Sequence, residues 1–254
     1  MPTPSASTHG PGRPGRPGRP VLLALSLLAL GLPAHAAAPP PSDPPPALDG
    51  FEVPDGLAVT LAAESPLLYN PTAMDVDAAG RLWVTEAVNY RQWDGRNPGR
   101  HHDGGDRVVV LSDTTGDGAY DASHVFVQDP ELTAPLGIAV LGSSVYVSCS
   151  PNLFVYHDDD GDLVSDRRET LFTGFGGHDH DHGLHSVTFG PDGRLLFNAG
   201  NAGPHLVTDA DGWQLRSGSL YRGGGATWAD NQPGQVSDDG RVWTGGLVLR
   251  ADLD

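Results

Sequence analysis

Residues 186–200 read SVTFGPDGRLLFNAG. Small or polar residues alternate with Val187 and Phe189, GPDG supplies a tight turn, and Leu195, Leu196 and Phe197 resume an apolar run. The stretch therefore predicts strand, turn, strand. The same grammar recurs at residues 74–90, MDVDAAGRLWVTEAVNY, and at residues 136–158, LGIAVLGSSVYVSCSPNLFVYHD, which adds a third strand. The second strands centre near Val84, Val147 and Phe197, at about the interval of four-stranded blades. Asp239-Gly240-Arg241-Val242-Trp243 predicts the start of a fourth unit. No stretch carries a helical apolar period, and 34 Gly and 23 Pro punctuate the chain too often for one. A β-sandwich would account for the strands but not for the self-similarity of DAAGRLW and GPDGRLLF. The expected fold is all-β, a partial β-propeller of about four blades.

Outside that core the chain begins with the marks of export. Arg13, Arg16 and Arg19 form a basic start, Val21 to Leu30 an apolar run, and Ala34-His35-Ala36 a small-x-small cleavage site. Ten apolar residues fall short of the roughly 20 that span a bilayer. Residues 1–36 thus read as a signal peptide, and no stable membrane span is expected. Residues 37–48 form a linker whose first ten residues include six prolines, an extended tether without a core. Residues 49–254 are the propeller domain. The mature protein is expected to be periplasmic or extracellular.

The whole chain has 15 Arg, no Lys and 32 acidic residues, a formal net charge of −17. Loss of the leader takes three arginines and no acids, leaving −20. Such a surface repels phosphate backbones and anionic lipid, which excludes nucleic-acid binding, and it favours divalent cations. Cys149 is the only cysteine. It excludes an intramolecular disulfide and a CxxCH haem attachment within the chain, and its setting, VYVSCS, reads as strand filling.

Two acidic stretches repeat 45 residues apart. Asp113, Asp117 and Asp121 occupy the first, fifth and ninth positions of one; Asp158, Asp162 and Asp166 do so in the other. The second adds Asp160 at position three and Glu169 at position twelve, so that Asp158, Asp160, Asp162, the Val164 carbonyl, Asp166 and Glu169 follow the ligand order of an EF-hand Ca²⁺ loop. Leu163 stands where that loop usually has glycine. The first stretch is the weaker candidate: Gly118 is in place, but Thr115 and His124 replace carboxylates. An Asp/Gly-rich turn without metal is the competing reading.

His178, His180 and His182 alternate just before the predicted strand at residues 186–189. In extended backbone they share one side, leaving Asp179 and Asp181 on the other. Neutral imidazoles suit Zn²⁺. The HxHxDH pattern of metallo-β-lactamases fails, however, because Leu184 stands where Asp is required. A polar loop with fortuitous histidines is a second reading, and the third makes His182 a general base at the mouth of a hairpin, with Asp181 or another carboxylate orienting its ring. Glu86, at the end of GRLWVTE, is a second candidate site residue.

The seven-residue spacing from His182 to Phe189, followed by GPDG, resembles the soluble quinoprotein glucose and sorbosone dehydrogenases. Residues 51–90, from FEVPDG to VNY, resemble the opening of membrane-bound dehydrogenase-like proteins of planctomycete type, whose longer members carry a c-type haem domain. The resemblance covers roughly residues 51–200. It implies a six-bladed ring, so that residues 49–254 read as a propeller truncated at its C-terminus. It also implies pyrroloquinoline quinone (PQQ) and Ca²⁺ as cofactors, His182 as the base, and an electron acceptor such as a c-type cytochrome. The Arg that commonly follows the motif Glu is here Ala87, which breaks carry-over of a quinone-binding role to that position.

The leading function is therefore an exported quinone-dependent dehydrogenase of sugars or related alcohols and aldehydes, or an inactive fragment of one. The alternatives are a calcium-dependent hydrolase of lactonase type and a noncatalytic propeller that binds glycans or partners.

Overall fold

The computed structural model describes residues 48–91, 99, 101–178, 181–209, 211–218, 236–244 and 246–253. The expected signal peptide and nearly all of the tether lie outside them. All regular elements among the described residues are strands, and no helix there is long and apolar enough to cross a membrane.

The first blade is the antiparallel meander β1 (Pro71–Val76), β2 (Leu82–Glu86), β3 (Arg107–Ser112) and β4 (Ala122–Gln128). The second, β5 (Gly137–Leu141), β6 (Ser144–Cys149), β7 (Asn152–His157) and β8 (Arg167–Phe172), repeats that order. β9 (Leu184–Phe189) and β10 (Leu195–Ala199) open the third unit. β5 packs against β1 on one side and β9 on the other, so the first strand of each unit lies beside the next. Successive meanders arranged with their first strands adjacent make a β-propeller.

Burial explains the sequence pattern. Ile138, Val145, Val147, Phe154 and Tyr156 pack towards Trp83, Val108, Val110 and Phe126 of the first blade. Ala139, Tyr146, Leu153 and Val155 pack the other way, towards Leu184, Val187, Leu195 and Phe197. The middle strands of the second blade are covered on both faces and therefore read as unbroken apolar runs, VYV and LFVY. The outer strand β8 begins RRET and is exposed there. Cys149 is buried within β6, as its setting predicts.

The repeated turns share one geometry. In residues 77–81, 190–194, 209–213 and 237–241 the first residue's N–H donates to the fifth residue's carbonyl, and the fourth residue's N–H donates back to the first's carbonyl. The fourth residue is always glycine, Gly80, Gly193, Gly212 or Gly240, with φ of 78–86°. This left-handed conformation closes a three-residue hairpin loop. In the first turn Asp77 also accepts from Arg81 Nε and Trp83 Nε1, which accounts for the DxxGRLW signature.

The third unit departs from a simple meander. β10 pairs on its far edge with β14 (Leu247–Ala251), about 50 residues later in sequence. β11 (His205–Thr208) and β12 (Gln214–Gly218) form a separate hairpin, joined in parallel by β13 (Trp243–Thr244). The predicted strand at residues 239–243 is thus the turn and short β13 of this second three-stranded sheet. There are four sheets among the described residues, two of them complete four-stranded blades.

Candidate functional site

Strand direction sorts the predicted residues onto two ends of the blades. β2, β6 and β10 finish at the end where β1, β5 and β9 begin. Glu86, Ser150, Asn201 and the segment leading into Leu184 gather there, and this end is called the mouth. The loops after β3 and β7, with both acidic stretches, lie at the opposite end and hold equivalent places in successive blades.

At the mouth, His182 precedes β9 and its backbone is clamped by the segment that follows β10. Gly200 N–H donates to Gly183 O at 2.6 Å, and Ala202 N–H to His182 O at 3.0 Å. A β-carbon on Gly200 would lie 2.3 Å from the His182 carbonyl oxygen, so this approach requires glycine. The His182 Nδ1 is hydrogen-bonded to Asn201 Oδ1. An amide oxygen only accepts, so Nδ1 donates and the basic lone pair of the neutral ring resides on Nε2. Asp181 Oδ1 lies 3.9 Å from that Nε2, beyond hydrogen-bond range. Asn201, and not the expected carboxylate, orients the imidazole.

The other histidines diverge. His178 Nδ1 donates to Ser150 O at 3.1 Å, and His185 Nε2 donates to the Asp181 carbonyl. His180 and Asp179 lie outside the described residues. Ser150 Oγ accepts from Leu184 N–H, so the turn after β6 holds both His178 and the start of β9. Asp181 Oδ1 pairs with Arg91 Nη2 at 3.0 Å, joining the loop after β2 to the loop before β9.

Glu86 is fully buried, and both oxygens are engaged: Oε1 accepts from Tyr69 N–H at 2.7 Å and Oε2 from Arg107 Nε at 2.6 Å. It faces Arg107 directly across β2 and β3. The sequence marked Glu86 as a candidate site residue; the structure shows a buried ion pair. Nearby Asp106 is also fully buried. It accepts from the amides of Asn89 at 2.9 Å and Ala134 at 2.8 Å. Burial pushes its carboxyl up to about 6, against the lowering effect of those amides. Sequence reasoning missed Asp106, Arg91 and Asn201, since each acts through partners remote in the chain.

The two acidic loops share spacing but not electrostatics. Asp113 accepts from the amides of Thr115, Gly116, Asp117 and Gly118, which hold its carboxyl below the usual range. Asp121 is held by Thr114 through its N–H and hydroxyl. Asp117 caps Ala119 N–H. In the second loop, Asp158, Asp160 and Asp166 bring carboxylate oxygens within 4.8 Å of one another. It is the one such group of three among the described residues. Asp158 is buried, while Asp160 and Asp166 are exposed. Asp162 caps Val164 N–H instead, and Glu169 pairs on β8 with Arg167 and His157. Leu163 takes φ of 67°, the left-handed conformation that Gly118 takes at the same place in the first loop.

Residues 43–223 match the family described as Domain of unknown function (DUF7133). The chain belongs to this family. No curated protein matches it significantly. Among solved structures, the PQQ domain of a pyranose dehydrogenase from Coprinopsis cinerea is 20% identical with a TM-score of 0.46, over 67% of this chain and 40% of that one. A gluconolactonase from Xanthomonas campestris is 20% identical with a TM-score of 0.41, over 65% and 52%. A calcium-binding regucalcin from Agrobacterium tumefaciens is 12% identical with a TM-score of 0.36, over 57% and 43%. The chain spans 40–52% of the length of these three structures.

Proposed function

We propose that this member of the family is an exported sugar-handling propeller that oxidises a hydroxyl or hydrated aldehyde, with His182 as general base and PQQ as cofactor. The carrying observation is the His182 ring itself, fixed at the mouth through Nδ1 so that Nε2 is the basic nitrogen. A neutral imidazole whose basic nitrogen faces the substrate can take a hydroxyl proton. The quinone, when bound, accepts the hydride equivalent from the same carbon. The mouth arginines among the described residues, Arg91 and Arg107, are the type of donor its carboxylates need, although Arg107 is already paired with buried Glu86. The spacing from His182 to Phe189 and the likeness of residues 51–90 to planctomycete-type dehydrogenases support the same reading. A c-type cytochrome is the proposed electron acceptor.

Calcium has a separate place in this reading. Asp158, Asp160 and Asp166 form its proposed ligand group, at the end of the blade away from His182. An ion there would hold the loop after β7 and would not touch substrate.

The test is turnover of an aldose or sugar aldehyde with PQQ, Ca²⁺ and an artificial electron acceptor. His182→Gln is expected to lower turnover by a factor on the order of 10² to 10⁴, with the fold intact because the side chain is 40% exposed. His178→Gln is expected to cost much less. Comparable collapse of both variants, together with loss of stoichiometric zinc, would replace the base by a metal centre. Lactone hydrolysis without any electron acceptor would move the protein to the hydrolases, and glycan binding with neither activity to the noncatalytic binders.

A further inference from the structure

One carboxylate oxygen at the mouth stands between a cation and the catalytic imidazole. Asp181 Oδ1 lies 3.0 Å from Arg91 Nη2 and 3.9 Å from His182 Nε2. It is bonded to the first and out of bonding range of the second. The pair spans 90 residues of sequence and links the first blade to the third unit. Its acid half is 49% exposed. An ion pair so exposed is weakly held and exchanges readily.

Arg91 is also placed with care. Its backbone has φ of 54°, the left-handed region that side chains other than glycine rarely adopt. Its guanidinium lies 5.1 Å over the Tyr90 ring. The loop that carries it is fastened by the buried Asp106 through Asn89 N–H, and Asn89 in turn exchanges two hydrogen bonds with the His102 backbone. The other described mouth arginine, Arg107, faces a carboxylate buried completely in the sheet. Among the described residues, Arg91 is therefore the mouth arginine whose counter-ion a ligand can reach. With a net charge of −17, the surface does not steer anions inward, so selection has to come from contact at this residue.

We propose that Arg91 is the anion-binding residue of the mouth and that Asp181 is its internal placeholder. A ligand bearing a ring carboxylate takes the guanidinium, whose planar fork matches a carboxylate in two parallel hydrogen bonds. The displaced Asp181 side chain turns to His182 Nε2. Ligand binding thereby brings the Asp181 carboxylate, 3.9 Å from Nε2 in this structure, into hydrogen-bond range of the imidazole. The hand-over rests on the reading of His182 as a base; the anion site does not. The carboxylate can belong to an acidic sugar substrate or to the quinone cofactor.

Calorimetric titration of the protein with D-galacturonate, its neutral counterpart D-galactose, and PQQ tests this. Galacturonate or PQQ is expected to bind at least ten-fold more tightly than galactose. Arg91→Gln is expected to weaken the anion at least ten-fold, and Arg91→Lys, which keeps the charge but loses the fork, by a smaller factor. Asp181→Asn is expected to tighten anion binding about three- to ten-fold, because the competing carboxylate is gone. A merely structural Asp181 would give the opposite sign. Competition between PQQ and galacturonate assigns the carboxylate to the cofactor; simultaneous binding with only galacturonate dependent on Arg91 assigns it to the substrate. Equal binding of galactose and both anions, no binding of any of the three, or weaker anion binding in Asp181→Asn overturns the proposal. Anion binding with this mutational pattern, but no sugar oxidation, leaves the site standing and rejects the dehydrogenase reading alone.

Discussion

At the mouth, loops of different blades are fastened to one another by their side chains; at the far end, the leading carboxylate of each acidic loop turns inward on its own loop. Arg91 reaches Asp181, Ser150 holds both His178 and Leu184, and Asp106 joins the segments at Asn89 and Ala134. At the far end Asp113 accepts from four amides within its own loop, and Asp158 from Gly161 and Leu163. Substitutions at the mouth should therefore propagate between blades, and those of the leading far-end carboxylates Asp113 and Asp158 should stay local.

The sharpest break of this contrast is a pair of glycine substitutions. Gly200→Ala would put a methyl group 2.3 Å from the His182 carbonyl oxygen, backbone against backbone, with no flexible atom to yield. It is expected to cost about 3 kcal/mol and to lower turnover together with stability, since His182 must shift. Gly193→Ala, in the turn at the other end of the same hairpin, meets open space and violates only its φ of 79°. That is expected to cost about 1 kcal/mol, with turnover preserved. Denaturant melts and activity assays on both variants would check it; equal losses would erase the distinction between the ends.

The second prediction concerns pH. Asp106, raised to about 6 by burial, binds a proton more tightly folded than unfolded. Its contribution is present below the unfolded value of 3.8 and is lost as pH rises through about 6, a decline on the order of 2–3 kcal/mol. His205 acts in the opposite sense. It is buried, accepts from Gly176 N–H on Nδ1 and donates from Nε2 to Gly200 O, and burial lowers its pKa. Its contribution is present above 6.5 and is lost as pH falls towards the folded value. Urea midpoints between pH 4 and 7 should lose their falling component in Asp106→Asn and their rising component in His205→Gln. An unchanged profile in either variant would show that the named group is not the one titrating.

The third prediction sets the two acidic loops against each other. Calcium is expected to raise Tm by several degrees, and Asp158→Asn to remove most of that rise. Asp113→Asn should lower stability in the absence of calcium, because its carboxylate already serves four amides, yet leave the calcium increment intact. Equal increments with Mg²⁺, or none with either ion, would make both loops ordinary turns.

Much of the architecture was legible because its causes are local. A strand buried on both faces must be apolar throughout, as in LFVY, and a three-residue hairpin loop needs glycine at its left-handed position, as in DAAGR and GPDGR. The pairing of β10 with β14 was not legible, since no local pattern ties residues 195–199 to residues 247–251. The histidine segment drew attention through its residue types, but sequence spacing could not show that His182 turns to Asn201 while His178 turns to Ser150. Glu86 was recognised as a strand-end carboxylate, whereas its burial against Arg107 depends on cross-strand register. Of the five carboxylates that followed EF-hand order, three converge. The loop is a hairpin connection in which Glu169 already belongs to the next strand and points to Arg167 and His157.

The smallest effect distinguishes two reasons for a residue at one place in the repeat. Gly118 and Leu163 occupy equivalent positions with φ of 91° and 67°. Gly118 faces open space and serves the turn alone. Leu163 endures the same backbone conformation, at a cost of about 1 kcal/mol, but its side chain packs on the cluster between the first two blades. Replacing it with glycine relieves the strain, loosens the unfolded chain and forfeits that partial burial. The last two terms outweigh the first, so Leu163→Gly should cost about 1 kcal/mol. Leu163→Ala forfeits most of the burial, keeps the strain and leaves the unfolded chain unchanged, so it should also cost about 1 kcal/mol. Leucine above both glycine and alanine in urea midpoint is the signature of a side chain retained for packing against its backbone preference. If glycine equals or exceeds leucine, the packing contributes nothing and the loop after β7 is as independent of the blade core as the loop after β3.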